Sequence, residues 1–421
     1  MDYYIVIALS VIIVLSHFFN VISSRTNVPS VIMLLILGIV IKTALDFFGY
    51  GASLSAIDRY DILPVIGTMG LILIVLEAAL DLELSKEKWP VIWRSFMVAL
   101  LSLGMTSTAV ALILEYLLFI DMFQAFLYAL PLSIMSSAIV IPSVTNLIRE
   151  NREFMIYEST FSDILGIMVF YFMLGNSDGE TAGVIATNVG VNIFFTVLLS
   201  ILISGALVWV FQQITTHVKL FLVIAILMLL YAIGKLAHFS SLVLILTFGL
   251  MLNNPELFFR GKLSGLIKVD NLKPLLRDFH IITLESAFVL RTFFFVIFGL
   301  TITLSSLLSI KVLLVSLCVI GATYLIRYAT LYWFKREGMT PLLYITPRGL
   351  ITVLLFFSIP EEFLSDDFDS GILLFAIIAT SLIMTSALIS AGRNRGLQDP
   401  ISDPDLELET YMGHPDDKVK E

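Results

Sequence analysis

The chain has 421 residues, 58% of them hydrophobic and only 14% charged, with a mean hydropathy of +0.97 and a formal net charge of −9. Soluble globular domains carry roughly 25% charged residues, so this composition describes a polytopic membrane protein. It also excludes a nucleic-acid binder, which needs a basic face for phosphates.

The first nineteen residues, MDYYIVIALSVIIVLSHFF, have no basic leader and no small-residue cleavage site, and they read as a retained first span. Hydrophobic runs of helical length follow near residues 4–22, 29–48, 62–80, 91–118, 124–148, 155–175, 184–211, 218–236, 240–252, 281–304, 310–334, 341–359 and 371–391. These predict an all-α protein of about thirteen spans. The odd count puts the two termini on opposite sides, and the distribution of Lys and Arg supports it. With the N-terminus outside, the inner segments collect most of the 25 basic residues, and the outer loops hold only Lys42, Arg59, Lys235 and Lys311. The predicted location is the cell (inner) membrane, with a cytoplasmic C-terminus.

The inner segment from about 253 to 280 is basic and amphipathic and is predicted to lie on the membrane surface. The polar outer loop at 176–183 separates the sixth span from the seventh. After Arg395 the chain turns acidic, and residues 396–421 are expected to form a disordered tail. Cys318 is the sole cysteine, so neither a disulfide nor a cysteine metal site arises within one chain. His17, His217, His238, His280 and His414 show no ligand spacing, and no cofactor or resident metal is implied.

Two spans are broken alike. The fifth, ALPLSIMSSAIVIPSVTNL, has Pro131, Ser136, Ser137 and Pro142 bracketing its middle, and the twelfth is interrupted by Thr346, Pro347, Arg348 and Gly349. Proline removes a backbone donor and clashes with the carbonyl four residues back. Freed backbone groups at membrane depth are tolerated only when covered by protein or lining a cavity. Paired interruptions seven spans apart lie in opposite orientation, the arrangement expected of inverted repeats around a transport site.

The sixth span, YESTFSDILGIMVFYFML, carries Glu158 and Asp163. An intramembrane acid points to function because burying its charge is costly. At about 100° per residue the two acids lie roughly 140° apart, which implies two separate jobs. Arg327, deep in the eleventh span, is predicted to pair with Glu158, since buried charges persist mainly in pairs. Arg291 is expected to make a local pair with Glu285 or to anchor at the interface. Arg348 is expected to cap released carbonyls or repel cations. Asp163 is left without a countercharge. Its oxygens, with the hydroxyls of Ser159, Ser162, Ser136 and Ser137, suit a hard monovalent cation such as Na⁺, Li⁺ or K⁺. A proton would compete for the same group, and exchange would follow.

ESTFSD at 158–163, together with VPSVIMLLILGIVI at 28–41, GLILIVLEAALDLEL at 70–84, SSAIVIPSV at 136–144, FFFVIFGLTI at 293–302 and PRGLITVLL at 347–355, resembles the monovalent cation/proton antiporters, bacterial sodium/proton and potassium/proton exchangers among them. The resemblance implies a sodium/proton antiporter fold of two inverted repeats with crossed, interrupted helices. It implies a homodimer in which spans 1–3 and 8–10 form a scaffold, spans 4–6 and 11–13 a mobile core with elevator-like movement, and span 7 a linker. It also implies that Asp163 binds the ion while Glu158 pairs with Arg327. Ser162 departs from the family's usual Asn or second Asp at that position, which points to electroneutral exchange. Two other classes fit less of the pattern: a gated cation channel or efflux system, and a Na⁺-coupled symporter in which Arg348 contacts an organic anion. An intramembrane enzyme finds no nucleophile with a base.

Overall fold

The computed structural model describes residues 2–48, 62–175, 198–210, 219–236, 241–259, 269–301 and 309–395, apart from positions 27, 83, 86, 145–146, 336–337 and 366. Its spans are α1 Asp2–Thr26, α2 Ser30–Phe47, α3 Ile62–Asp81, α4 Trp89–Leu118, the interrupted α5 (Met122–Ser133 and Ser137–Ser143), α6 Arg149–Gly175 and α7 Leu198–Val210. They continue with α8 Lys219–Leu236, α9 Ser241–Asn253, α10 Val269–Thr301, α11 Ile310–Phe334, the interrupted α12 (Met339–Leu342 and Leu350–Phe356) and α13 Gly371–Arg395. Among the described residues, eight helices are long and apolar enough to cross a membrane by themselves. The loop at 176–183, the first part of the seventh span and the tail at 396–421 lie outside the described residues.

Local chemistry sets several boundaries. Pro90 sits in the first turn of α4, where its missing N–H is not needed. At the far end Phe119 adopts a left-handed conformation (φ 58°) and its N–H returns to the Glu115 carbonyl, closing the helix. Asp121 then caps α5, its carboxylate accepting the Phe123 N–H at 2.9 Å.

The tenth span differs from expectation. The stretch from 269 to 280 is the start of one continuous helix of 33 residues rather than part of a surface loop ending at 280. Its polar residues lower the local hydropathy, but Phe279, Thr283 and Ala287 recur at helical spacing and are all fully buried. In the same way α6 begins at Arg149, six residues before the apolar run, because Asn151, Phe154 and Met155 already face the protein interior.

Packing sorts the helices into two groups. In one, α4 lies against the first half of α5, α6 and α11, α11 against α13, and the second half of α12 against the first half of α5. In the other, α10 lies against α1, α2 and α3, while α9 packs on α3 and α8. The backbones of α2 and α10 touch at Gly38 and Gly299; a methyl group added at Gly299 would fall 2.5 Å from the Leu35 carbonyl oxygen. The groups meet where α9 and α3 face α6 and the second half of α12.

Candidate ion-binding site

The breaks in α5 (Ile134–Ser136) and α12 (Leu343–Gly349) cross each other. The Ser136 N–H donates to the Pro347 carbonyl at 3.0 Å, a backbone bond between segments more than 200 residues apart. Gly349 permits the approach, since a Cβ there would lie 2.7 Å from Ser136 Oγ and from Ile139 Cδ1. Pro142 does not lie at the break: it sits inside the second half of α5, near its end. The helix is instead interrupted where Ile134 and Ser136 take extended backbone conformations.

Several of the groups released by the breaks find partners from other elements. Arg348 reaches from one break to the other, Nη1 donating to the Ile134 carbonyl and to Thr346 Oγ1, both at 3.1 Å, and Nη2 to Thr323 Oγ1 at 3.5 Å. The Arg348 N–H donates to Thr380 Oγ1 on α13 at 3.0 Å. On the α6 side, the Met135 N–H donates to Ser162 Oγ at 2.9 Å and the Ser137 N–H to Asp163 Oδ2 at 3.0 Å. Two successive residues of α6 thus take up amides on either side of Ser136.

Asp163 is 3% exposed and, among the described residues, makes no ion pair. Its Oδ1 and the Ser136 hydroxyl oxygen are buried and, among the described residues, have no hydrogen-bond partner. Buried acceptors of this kind are rare and call for an explanation. Ser159 is buried nearby, but its hydroxyl donates to the Ile156 carbonyl of its own helix at 3.2 Å. Of the five predicted ion-site residues, Asp163, Ser136, Ser137 and Ser162 meet at the crossing, and Ser159 is turned toward its own backbone.

Glu158 and Arg327 lie on another face of α6. Arg327 Nη1 donates to Glu158 Oε1 at 2.7 Å and Nη2 to Oε2 at 3.3 Å. Nε and Nη2 also donate to the Leu342 carbonyl, the last of the first half of α12, at 3.0 and 2.9 Å. The guanidinium therefore neutralises Glu158, caps a broken helix and leaves Asp163 alone.

Arg291 corrects the expectation of a local pair with Glu285. Its Nη2 donates to both carboxylate oxygens of Glu77 on α3, at 2.8 and 3.1 Å. Four residues further along α3, Asp81 lies 2.8 Å from His280 Nε2 on α10. Glu77 is absent from the predicted site, although an acid inside the run GLILIVLEAALDLEL carries the signal that singled out Asp163. Among the described residues no group of three or more His, Cys, Asp or Glu is arranged to hold a metal ion.

Comparison with known proteins bears on the fold and the family. The chain is similar to the sodium proton antiporter MjNhaP1 from Methanocaldococcus jannaschii at pH 8, with a TM-score of 0.65 and 21% identity over 93% of this chain and 96% of that one. A second structure of that antiporter, from electron microscopy, aligns with a TM-score of 0.63 and 20% identity over 98% of this chain and 100% of that one. The likeness shows the sodium/proton antiporter fold. No curated protein sequence matches. The family described as sodium/hydrogen exchanger, transmembrane, matches residues 6–391. From α1 to α13, therefore, this chain belongs to the transmembrane sodium/hydrogen exchanger family.

Proposed function

We propose that the protein exchanges one monovalent cation, Na⁺ or K⁺, for one H⁺, with Asp163 carrying each in turn. The observation that carries this reading is that Asp163 Oδ1 and the Ser136 hydroxyl, both buried at the helix crossing, have no hydrogen-bond partner among the described residues. A desolvated carboxylate must be neutralised by something, and among the described residues no arginine pairs with it. A proton on Oδ1 or a hard cation shared by Oδ1 and Ser136 Oγ would each supply the missing charge; Li⁺ meets the same requirement. Ser162 adds no second carboxylate, so the loaded site has the same charge with either ion, which favours electroneutral exchange.

The two packing groups favour division into a moving core, α4–α6 with α11–α13, and a scaffold, α1–α3 with α8–α10; the resemblance adds α7 as linker and a homodimer. The distribution of basic residues favours a cytoplasmic C-terminus in the cell (inner) membrane.

Cation-induced dequenching of a pH-sensitive dye in proteoliposomes tests the proposal. Asp163→Asn keeps the shape of the side chain but cannot trade a proton for a cation, and its rate should fall to that of empty liposomes. Full exchange by this variant would overturn the mechanism. Because H⁺ and cation compete, the rate should fall as the medium is acidified and recover when the cation concentration is raised. An imposed potassium diffusion potential should leave the rate unchanged. Cation flux without any proton movement would instead identify a channel.

A further inference from the structure

A cavity of about 890 Å³ lies between α13, the first half of α12 and the corner where α5 passes into α6. One wall is a single stripe of α13, Leu382, Ile383, Ser386, Ala387, Ser390 and Ala391, which Tyr344 and Asn151 face from the other two elements. By helical rise the stripe is about 13 Å long, close to half of the roughly 30 Å hydrocarbon core of a bilayer. Leu382, Tyr344 and Ile148 on its rim are exposed, so the cavity is open along the outside of the helices. Both serines of the stripe are bonded to their own helix, Ser386 Oγ donating to the Leu382 carbonyl and Ser390 Oγ to the Ser386 carbonyl, each at 2.8 Å. The wall therefore presents hydrocarbon rather than donors, which suits an acyl chain and not a file of water or ions.

The end of the cavity at Asn151 is charged. Lys335, which follows α11, donates from Nζ to Asn151 Oδ1 at 2.6 Å and rests 4.9 Å from the centre of the Phe154 ring. Its acidic neighbour, Glu150, is 3.4 Å away and mostly exposed. An ammonium has three N–H donors. A short bond to a neutral amide and a long one to a solvated carboxylate leave the third for another anion. Close by, Glu153 is shared between Arg149 and Lys88, and with Arg152 the basic side chains outnumber the acidic ones at this end.

We propose that this cavity is a lipid site: it takes one acyl chain of an anionic phospholipid whose phosphate lies on Lys335, and the bound lipid braces the first half of α12. In the orientation favoured above, the lipid belongs to the inner leaflet. That half of α12 is only four residues long, Met339–Leu342. Arg327 holds its last carbonyl from within the protein, while Pro341 and Tyr344 line the cavity. The backbone then runs directly into the break that carries Pro347 and Arg348, so an acyl chain packed on Pro341 and Tyr344 steadies the crossing as well. One lysine near the bilayer surface favours an anionic over a zwitterionic headgroup by about fivefold in affinity. The effect on exchange rests on the crossing being the ion site; the binding of lipid does not.

Native mass spectrometry of the full chain in detergent, with phosphatidylglycerol or phosphatidylcholine added, counts the lipid retained. Wild type should keep one more phosphatidylglycerol than Ala387→Trp, whose indole fills the cavity, and should prefer phosphatidylglycerol to phosphatidylcholine there by about fivefold. Lys335→Gln retains a donor for Asn151 but loses the charge, and that preference should vanish. In liposomes, exchange by wild type should be faster with phosphatidylglycerol present than in phosphatidylcholine alone, and Lys335→Gln should lose this difference. Equal retention by wild type and both variants overturns the proposal. So does retention that rises when residues 396–421 are deleted, because the acidic tail would then be the occupant. If Ala387→Trp does not fold, Lys335→Gln carries the test alone, and an unaltered headgroup preference refutes it. Asp163→Asn should hold lipid as wild type does, so failure of the lipid site and failure of the ion-site assignment are told apart.

Discussion

Asp163 and Glu158 stood out in the sequence because each is an acid inside an apolar run. Their five-residue spacing put them on different faces of one helix. In the structure one lies at the crossing and the other against Arg327. The partner of Arg291 was not legible: Glu285 is near in sequence, whereas Glu77 lies 214 positions away and is brought in only by the packing of α3 on α10. Hydroxyl directions were equally out of reach, as Ser159 shows, since a serine in a helix can bond its own backbone. Arg327→Ala would leave Glu158 charged and buried and the Leu342 carbonyl without its donors. Breaking a buried pair in this way costs about 3–5 kcal/mol. A much lower melting temperature in detergent is expected, and unchanged thermal stability would show that the pair is dispensable. Arg327→Lys should rescue only part of the loss, because an ammonium lacks the fork that serves carboxylate and carbonyl together.

At the scale of the helix, the existence of two broken spans was legible from clustered Pro, Ser and Gly, but the positions of the breaks were only partly so. Pro347 lies within the second break, whereas Pro142 is carried inside a helical half and the chain opens at Ile134–Ser136. What holds that opening is supplied by other elements: Ser162, Asp163, Pro347 and Arg348. No local pattern reveals such partners. The start of α10 differs from the expected boundary because the polar residues at 269–280 lower the hydropathy of a stretch that is nonetheless helical. Gly349→Ala would place a methyl group 2.7 Å from Ser136 Oγ and Ile139 Cδ1. Overpacking of this kind costs about 1–3 kcal/mol, and here the strain falls on the crossing. Exchange should drop at least tenfold while the protein still inserts in the membrane; normal rates would mean that the crossing can spread without consequence.

For the molecule as a whole, composition and the placement of Lys and Arg sufficed for an all-helical membrane protein of thirteen spans. The division into two packing groups required the structure, because it depends on which helices touch. If the groups move past each other during transport, a covalent link between them should stop it. Val75 on α3 and Ile164 on α6 line one small cavity from opposite groups. After replacement of the exposed Cys318, a Val75→Cys/Ile164→Cys pair cross-linked by a short bifunctional reagent should lose exchange, and reductive cleavage of the linker should restore it. Undiminished transport by the linked protein would rule out sliding at this boundary.

The bond from the Ser136 amide to the Pro347 carbonyl also orders events during biosynthesis. When the fifth span leaves the ribosome its eventual partner has not yet been translated, and the exposed amide must find temporary cover from lipid headgroups, water or the insertion machinery. The amino-terminal half of this transporter therefore cannot reach its final shape ahead of the carboxy-terminal half. The two halves mature together, at the moment the twelfth span arrives.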